Sequence, residues 1–299
     1  MTEITPALVR ELIGEQFPRW KELDIRPVPK SGHDNRTFLL GSDMTVRLPS
    51  GPEYAPQIEK EIRWLPLLSS HLSLPISCPI AAGKPSGHYP FPWSVNRYLE
   101  GTAAAETDGI DKECLAADLS SFLKELQSIE TEGAPEAGKH NFYRGAGLSV
   151  YSRQVEEALR VKSGQVPVKI LGKLWEQSLD STWEAPPVWL HGDVAPGNLL
   201  LKNGRLSGVI DFGIMGIGDP ACDYAMAWTF FEGKSRRLFL KDLDSGTIAR
   251  ARGWALWKAL ITLDAPEAEI RASAEHTLRA VTEEQENPIR EEKDEHTNT

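Results

Sequence analysis

A chain of 299 residues with 40% hydrophobic and 25% charged residues has globular composition and is long enough for one large domain or two lobes sharing a cleft. Its formal charge of −10, with no basic run, argues against nucleic acid as a partner and suits either plain solubility or a cationic small ligand. Three cysteines (Cys78, Cys114, Cys222) without CxxC spacing or histidine partners argue against zinc and fit a reducing cytoplasm. No stretch approaches the roughly eighteen apolar residues of a membrane span, and the N-terminus lacks a basic-then-apolar leader; no membrane partner and no secretion are expected.

In chain order, Thr5-Pro6 reads as an N-cap and first-turn proline, opening a helix to about Phe17 with Leu8, Leu12 and Ile13 on one face. Thr37–Leu40 and Met44–Leu48 read as strands joined at Gly41-Ser-Asp43. Helical spacing follows over Tyr54–Leu68 (Ile58, Ile62, Leu65, Leu68), with Pro66 expected to disturb its last turn. Pro75–Ile80 reads as extended and Pro92–Leu99 as a further strand, so residues 1–98 are expected to form a small antiparallel lobe with one inserted helix. Residues 99–281 read as a mainly helical lobe, with helices at Ile110–Ile129, Leu148–Val161, Val168–Leu179, Ala221–Phe231, Ile248–Leu263 and Pro266–Val281. A β-rich insert interrupts them: Val188–Leu190, Asn198–Leu201 and Leu206–Ile210. The last residues, 282–299, are polar and charged and read as a frayed or disordered tail.

The chemistry is concentrated in WLHGDVAPGNLLLKNGRLSGVIDFG, Trp189 to Gly213. Phosphoryl transfer asks for positioning, charge neutralisation and a group to take a hydroxyl proton. Asp193, on a loop after a short strand, can face an incoming hydroxyl. Asn198 follows a turn through Pro196-Gly197 and can offer a metal its side-chain oxygen. The hairpin Leu199–Leu201, Lys202-Asn-Gly204, Leu206–Ile210 then returns the chain, so that Asp211 of Asp211-Phe-Gly213 comes back beside Asn198. Magnesium prefers oxygen ligands and keeps waters and phosphates in its shell, so one Asn and one Asp suffice. HGD or DFG alone is a weak signal; the ordered set around a hairpin is a strong one.

The same chemistry predicts three parts upstream. A loop over the phosphates belongs between the first strands, where Ser31-Gly-His-Asp-Asn-Arg-Thr37 lies; Gly32 permits close backbone approach, and Ser31 and Asn35 supply donors. A cation belongs on the third strand, where Arg47 stands instead of lysine and offers a planar fork rather than a point charge. Its helix partner is expected to be Glu61, with Glu59 as rival. The glycine-rich Gly213-Ile-Met-Gly216-Ile-Gly218 reads GxxGxG, the reverse of the dinucleotide fingerprint, and opens no helix.

HGDVAPGNLLLKNGRLSGVIDFG followed by GIGDPACDYA resembles the aminoglycoside phosphotransferase family, which includes macrolide kinases and relatives of choline kinase. SGHDNRTFLLGSDMTVRLP is similar to the first-lobe phosphate loop and third strand of the same family, and the order of motifs is compatible up to about residue 265. The resemblance implies an α+β, bilobal protein-kinase-like fold that binds ATP or GTP between its lobes. It implies Mg2+ on Asn198 and Asp211, Asp193 as the catalytic Asp, and a base-binding linker from Asn96 through Tyr98 to Leu99. It also implies that Asp219 and Asp223 fix the catalytic loop and a helix start.

A protein substrate is not expected. Gly192 stands where a protein kinase has the Arg that reads a phosphorylated activation segment, and only Ile214–Gly218 separate Gly213 from Asp219. The acceptor is expected to be a small hydroxylated compound, with an antibiotic-type aminoglycoside leading and a macrolide or an endogenous metabolite as alternatives. Ten acidic residues against three lysines over Glu100–Lys139 suit a polyamine. Trp254 and Trp257 either line the acceptor pocket or pack in the core. The reading from another class is a nucleotide-binding pseudokinase sensor, which the intact Asp193, Asn198 and Asp211 oppose.

Overall fold

The computed structural model describes residues 3–28 and 34–286. The backbone divides into two compact units, one of residues 1–146 and 186–220 and the other of residues 147–185 and 221–299. The class is α+β, as expected: an antiparallel sheet in the first unit and helices in the second.

In the first unit, α1 (Pro6–Gln16) starts where Thr5 accepts a hydrogen bond from the Leu8 amide at 3.3 Å, with Pro6 in the first turn. It buries Leu8, Val9, Leu12 and Ile13 in a core shared with Phe38, Leu40, Val46 and Trp93. The five-stranded sheet runs β1 (Ile25–Pro27), β2 (Asn35–Leu40), β3 (Met44–Pro49), then β5 (Trp93–Arg97), with β4 (Pro79–Gly83) outermost; every neighbouring pair is antiparallel.

Between β3 and β4 lies α2 (Ala55–Ser69), which continues straight through Pro66. The disturbance expected there does not end the helix. Trp64, Leu65 and Leu68 are buried on either side of the proline, and that packing outweighs one missing backbone hydrogen bond. A short β6 (Thr102–Ala103) precedes α3 (Lys112–Gln127), whose cap Asp111 accepts from the amides of Glu113 and Cys114.

The β-rich insert consists of β7 (Val188–Leu190), β8 (Leu199–Lys202), β9 (Arg205–Val209) and β10 (Gly216–Gly218). β8 and β9 are joined by Asn203-Gly204 with φ of 54° and 76°, the left-handed pair that a tight hairpin needs. β10 pairs back on β7, Gly216 opposite Leu190, so the strand entering the HGD loop and the strand leaving the DFG loop lie side by side.

The second unit holds α4 (Ser152–Val161), α5 (Val168–Leu179), α6 (Met226–Thr229), α7 (Gly233–Leu240), α8 (Ser245–Thr262) and α9 (Ala268–Glu286). The single helix expected over Ala221–Phe231 is instead a 3₁₀ turn, Pro220–Tyr224, followed by the four-residue α6. Pro220 opens this turn, and Ala221, Cys222, Asp223 and Tyr224 are all buried. Helix α7 was not expected. Helix α9 extends to Glu286, into the segment read as a polar tail; residues 287–299 lie outside the described residues.

Candidate active site

Strand β7 delivers His191-Gly-Asp193. Gly192 has φ of 85°, and a Cβ there would stand 2.7 Å from the Ile214 carbonyl oxygen, so only glycine fits. His191 is fully buried. Its Nδ1 accepts from the Asp193 amide at 3.1 Å, so its proton sits on Nε2, which donates to the Ile210 carbonyl at 3.0 Å. The ring packs 4.4 Å from that of Phe212. One histidine thereby ties the backbone of the HGD loop to the residue just before Asp211.

Asn198 completes the loop. Its Nδ2 donates to the Asp193 carbonyl at 2.9 Å and to Asp193 Oδ2 at 3.3 Å, which orients the amide and leaves its Oδ1 as an oxygen donor. The Ile210 amide donates to the Asn198 carbonyl at 3.0 Å, so Asn198 and Asp211 are held at the adjoining ends of β8 and β9. Asp211 itself has φ of 65°, a conformation rare outside glycine and a mark of a constrained site.

Arg47 on β3 uses both ends of its fork. Nη1 donates to the two Glu61 oxygens at 2.8 and 3.0 Å, and Nη2 donates to Asp211 Oδ1 at 2.8 Å. The partner on α2 is Glu61; Glu59 is exposed. Burial opposes the Arg47 charge, but Glu61 and Asp211 more than offset it, and the guanidinium pKa is raised. Burial pushes the Glu61 carboxyl up, and Arg47 offsets only part of that rise. A lysine could not bridge two carboxylates in this planar way.

The other predicted residues are placed as follows. Asn35 begins β2 opposite Pro49, with its side chain buried. Asn96 lies inside the sheet on β5, fully buried, its Nδ2 donating to the Ser77 carbonyl at 3.3 Å. Tyr98 follows β5, half-exposed, and its amide bonds to the Asp43 carbonyl at 2.9 Å. Ser31 and Gly32 lie outside the described residues. Asp219 and Asp223 are both buried, and the Asp219 amide bonds to the Gly145 carbonyl at 2.9 Å.

Several residues escaped the sequence reading. Gln57, Lys60 and Trp64 are buried on α2 beside Glu61, because the helix turns a polar as well as an apolar face inward. Arg144 is buried and its Nε donates to the Gly192 carbonyl at 2.9 Å, steadying the HGD loop from a segment where Phe142 and Tyr143 both have positive φ. Neither residue sits in a motif; for Lys60 the available signal was its heptad-like spacing with Gln57 and Trp64.

On the acceptor side, the structure takes the core reading for the two tryptophans and finds part of the acidic stretch already paired. Trp254 and Trp257 are buried, with Tyr151 stacked 3.9 Å from Trp257, so they are core. In the acidic stretch, Glu100 pairs with Lys202 at 2.6 Å, Asp118 with Arg205, and Glu125 with Ser73 at 2.8 Å, so these charges already have partners.

The donor set suits a hard cation: an amide oxygen on Asn198 and a carboxylate on Asp211 whose second oxygen Arg47 does not take. Among the described residues no cluster of three or more acidic, His or Cys side chains forms a ready-made metal cage.

A profile described as the phosphotransferase enzyme family matches residues 24–260. A homoserine kinase from Beijerinckia indica is 28% identical over 185 residues, 58% of this chain and 54% of that protein, so the chain spans about half the length of that relative. An aminoglycoside 3'-phosphotransferase from Escherichia coli is 25% identical over 206 residues, 64% of this chain and 70% of that protein. Among solved structures, the GDP complex of an aminoglycoside 2'-phosphotransferase mutant superposes with a TM-score of 0.71 at 22% identity, covering 95% of this chain and 99% of that one.

Proposed function

The chain belongs to the phosphotransferase enzyme family, and we propose that it moves the terminal phosphoryl group of ATP or GTP to a hydroxyl of a small, hydroxylated acceptor. The observation that carries this reading is the hydrogen-bonded loop that joins Asp193, Asn198 and Asp211 and continues through Arg47 to Glu61.

In that reading Asp193, exposed at the end of its loop, accepts the acceptor's hydroxyl proton as the oxygen attacks the phosphorus. Asn198 fixes the Asp193 carboxylate through its amide hydrogens. Asn198 Oδ1 and the open oxygen of Asp211 would hold magnesium, which would supply charge neutralisation on the transferred phosphate. Arg47 holds the Asp211 carboxylate at its positive-φ position, with Glu61 fixing the fork. Asn35 and the glycine loop before it provide donors toward the phosphates, and the chain from Asn96 to Leu99 borders the base. The nucleotide is supported by GDP bound in the structural relative, and the fold by its superposition.

For the acceptor, an aminoglycoside-type polyamine and a hydroxylated amino acid both have a relative in support: the Escherichia coli phosphotransferase and the Beijerinckia indica kinase. A panel of aminoglycosides, macrolides, hydroxy amino acids, amino alcohols and sugars, read by release of nucleoside diphosphate, tests the class. At least one hydroxylated compound should stimulate release, and Asp193→Asn should abolish the stimulation. No stimulation across the panel, with nucleotide still bound, would favour a sensor over an enzyme.

A further inference from the structure

Two adjacent side chains of α2, opposite in charge, end on the two ends of one short loop. Glu61 reaches Asp211 through Arg47. Lys60 Nζ donates to the Met215 carbonyl at 2.8 Å and lies 3.1 Å from His140 Nδ1. His140 Nε2 is 2.8 Å from the Glu136 carbonyl, so Nε2 donates there and Nδ1 is left to accept from Lys60. Between the two grips, Gln57 Oε1 stands 2.7 Å from the place a Gly213 Cβ would occupy. Met215 is followed directly by β10, which pairs with β7 and so with the strand that carries His191 and Asp193.

Lys60 is 9% exposed, while its neighbour Glu59 faces solvent. Burial works against its ammonium and Glu61 works for it, and the net result is a pKa lowered to about 7. An alkyl side chain would fill this position without that penalty. The polar partners therefore call for an explanation beyond packing.

We propose that Lys60 is a positioning residue that holds the exit of the Asp211–Met215 loop, and that α2 grips this loop at both ends, with Glu61 acting on Asp211 and Lys60 on Met215. Its effect on catalysis rests on the phosphoryl-transfer reading, but the grip itself does not. The charged and titratable groups facing Lys60 are Glu61 on its own helix and His140 on the segment after α3.

The test compares the full chain with Lys60→Met and His140→Gln. Amide hydrogen exchange over residues 212–217 is read without ligand, and affinity is read with a fluorescent ATP analogue and magnesium. Lys60→Met is expected to speed exchange in that segment about tenfold or more while leaving the β8–β9 hairpin unchanged. It should weaken magnesium–nucleotide affinity about tenfold, with the acceptor KM within about twofold of the parent. His140→Gln should move the same exchange about threefold, since one of two contacts of Lys60 is lost. Parental exchange over 212–217 in a folded Lys60→Met variant overturns the proposal. If Lys60→Met does not fold, parental exchange in His140→Gln overturns it instead. A parent chain that neither binds nucleotide nor turns over would sink the phosphoryl-transfer reading, and the exchange result would still decide the grip.

Discussion

Both compact units bury charge, Lys162, Asp223 and Arg250 in the helical one, but they aim it differently. The helical unit buries Trp228, Phe231, Phe239, Trp254 and Trp257, with Tyr151 stacked on Trp257 and Trp254 edge-on to it at 5.6 Å. The first unit has an apolar core as well, and it buries Arg47, Lys60, Glu61, Arg144 and His191; Arg47, Lys60, Arg144 and His191 each reach residue 192 or the stretch 210–215. Apolar burial raises stability roughly in proportion to area. Buried charge does not; a paired ion is often no better than a hydrophobic pair of the same volume. A region that keeps charges inside, all aimed at one backbone segment, is shaped by something other than stability.

That contrast predicts opposite outcomes for two substitutions. Asp193→Asn should cut turnover by about 10³-fold, within the range expected for loss of a general base, and leave the melting temperature unchanged because the side chain is exposed. Diphosphate release beside a thermal melt checks both. Trp254→Ala should do the reverse, costing about 3–5 kcal/mol of stability with turnover per folded molecule within about twofold of the parent. Urea denaturation reads the first quantity. A tenfold fall in kcat for Trp254→Ala would break the contrast and return that residue to the acceptor site.

Legibility in the sequence follows the same division. The hairpin between Asn198 and Asp211 was readable because its punctuation is local: Asn203-Gly204 takes the left-handed turn, and the alternation on either side sets the strands. The pairing of Arg47 with Glu61 was readable as well, since strand, helix and charge order narrowed the choice to two glutamates. The split of Ala221–Phe231 was not, because continuous burial looks the same to a periodicity count whether the chain is helical or tightly turned. Lys60 and Arg144 were illegible for a different reason. Their partners are the backbone carbonyls of Met215 and Gly192, distant in sequence, and a carbonyl leaves no trace in residue type.

Arg47→Lys sharpens the contrast within the buried charges themselves. A single ammonium cannot donate in one plane to both Glu61 and Asp211, so one carboxylate loses its partner. If the fork's role is to hold Asp211, kcat/KM should fall about 10- to 100-fold, equivalent to about 1.4–2.8 kcal/mol. Steady-state kinetics at varied magnesium–nucleotide would show the loss. Parental kinetics in Arg47→Lys would mean that charge alone matters there and the bridging geometry does not.

The smallest effect is one of pH. Lys60 has its pKa lowered to about 7 by burial, against an ordinary value of 10.5. Between those values the unfolded chain binds a proton at this site that the folded chain does not, so the group's contribution to stability grows as pH rises and is lost as pH falls through 7. Lys60→Met has no such group. The stability difference, parent minus variant, should therefore climb from pH 7 to pH 9, with a slope of at most about 1.4 kcal/mol per pH unit. Glu61 and His140 are present in both proteins, and the subtraction removes most of their titration. Urea midpoints at three pH values would give the slope. Parallel curves would mean that the Lys60 ammonium is held as comfortably as in water, and the first unit would then carry no stability penalty at this buried charge.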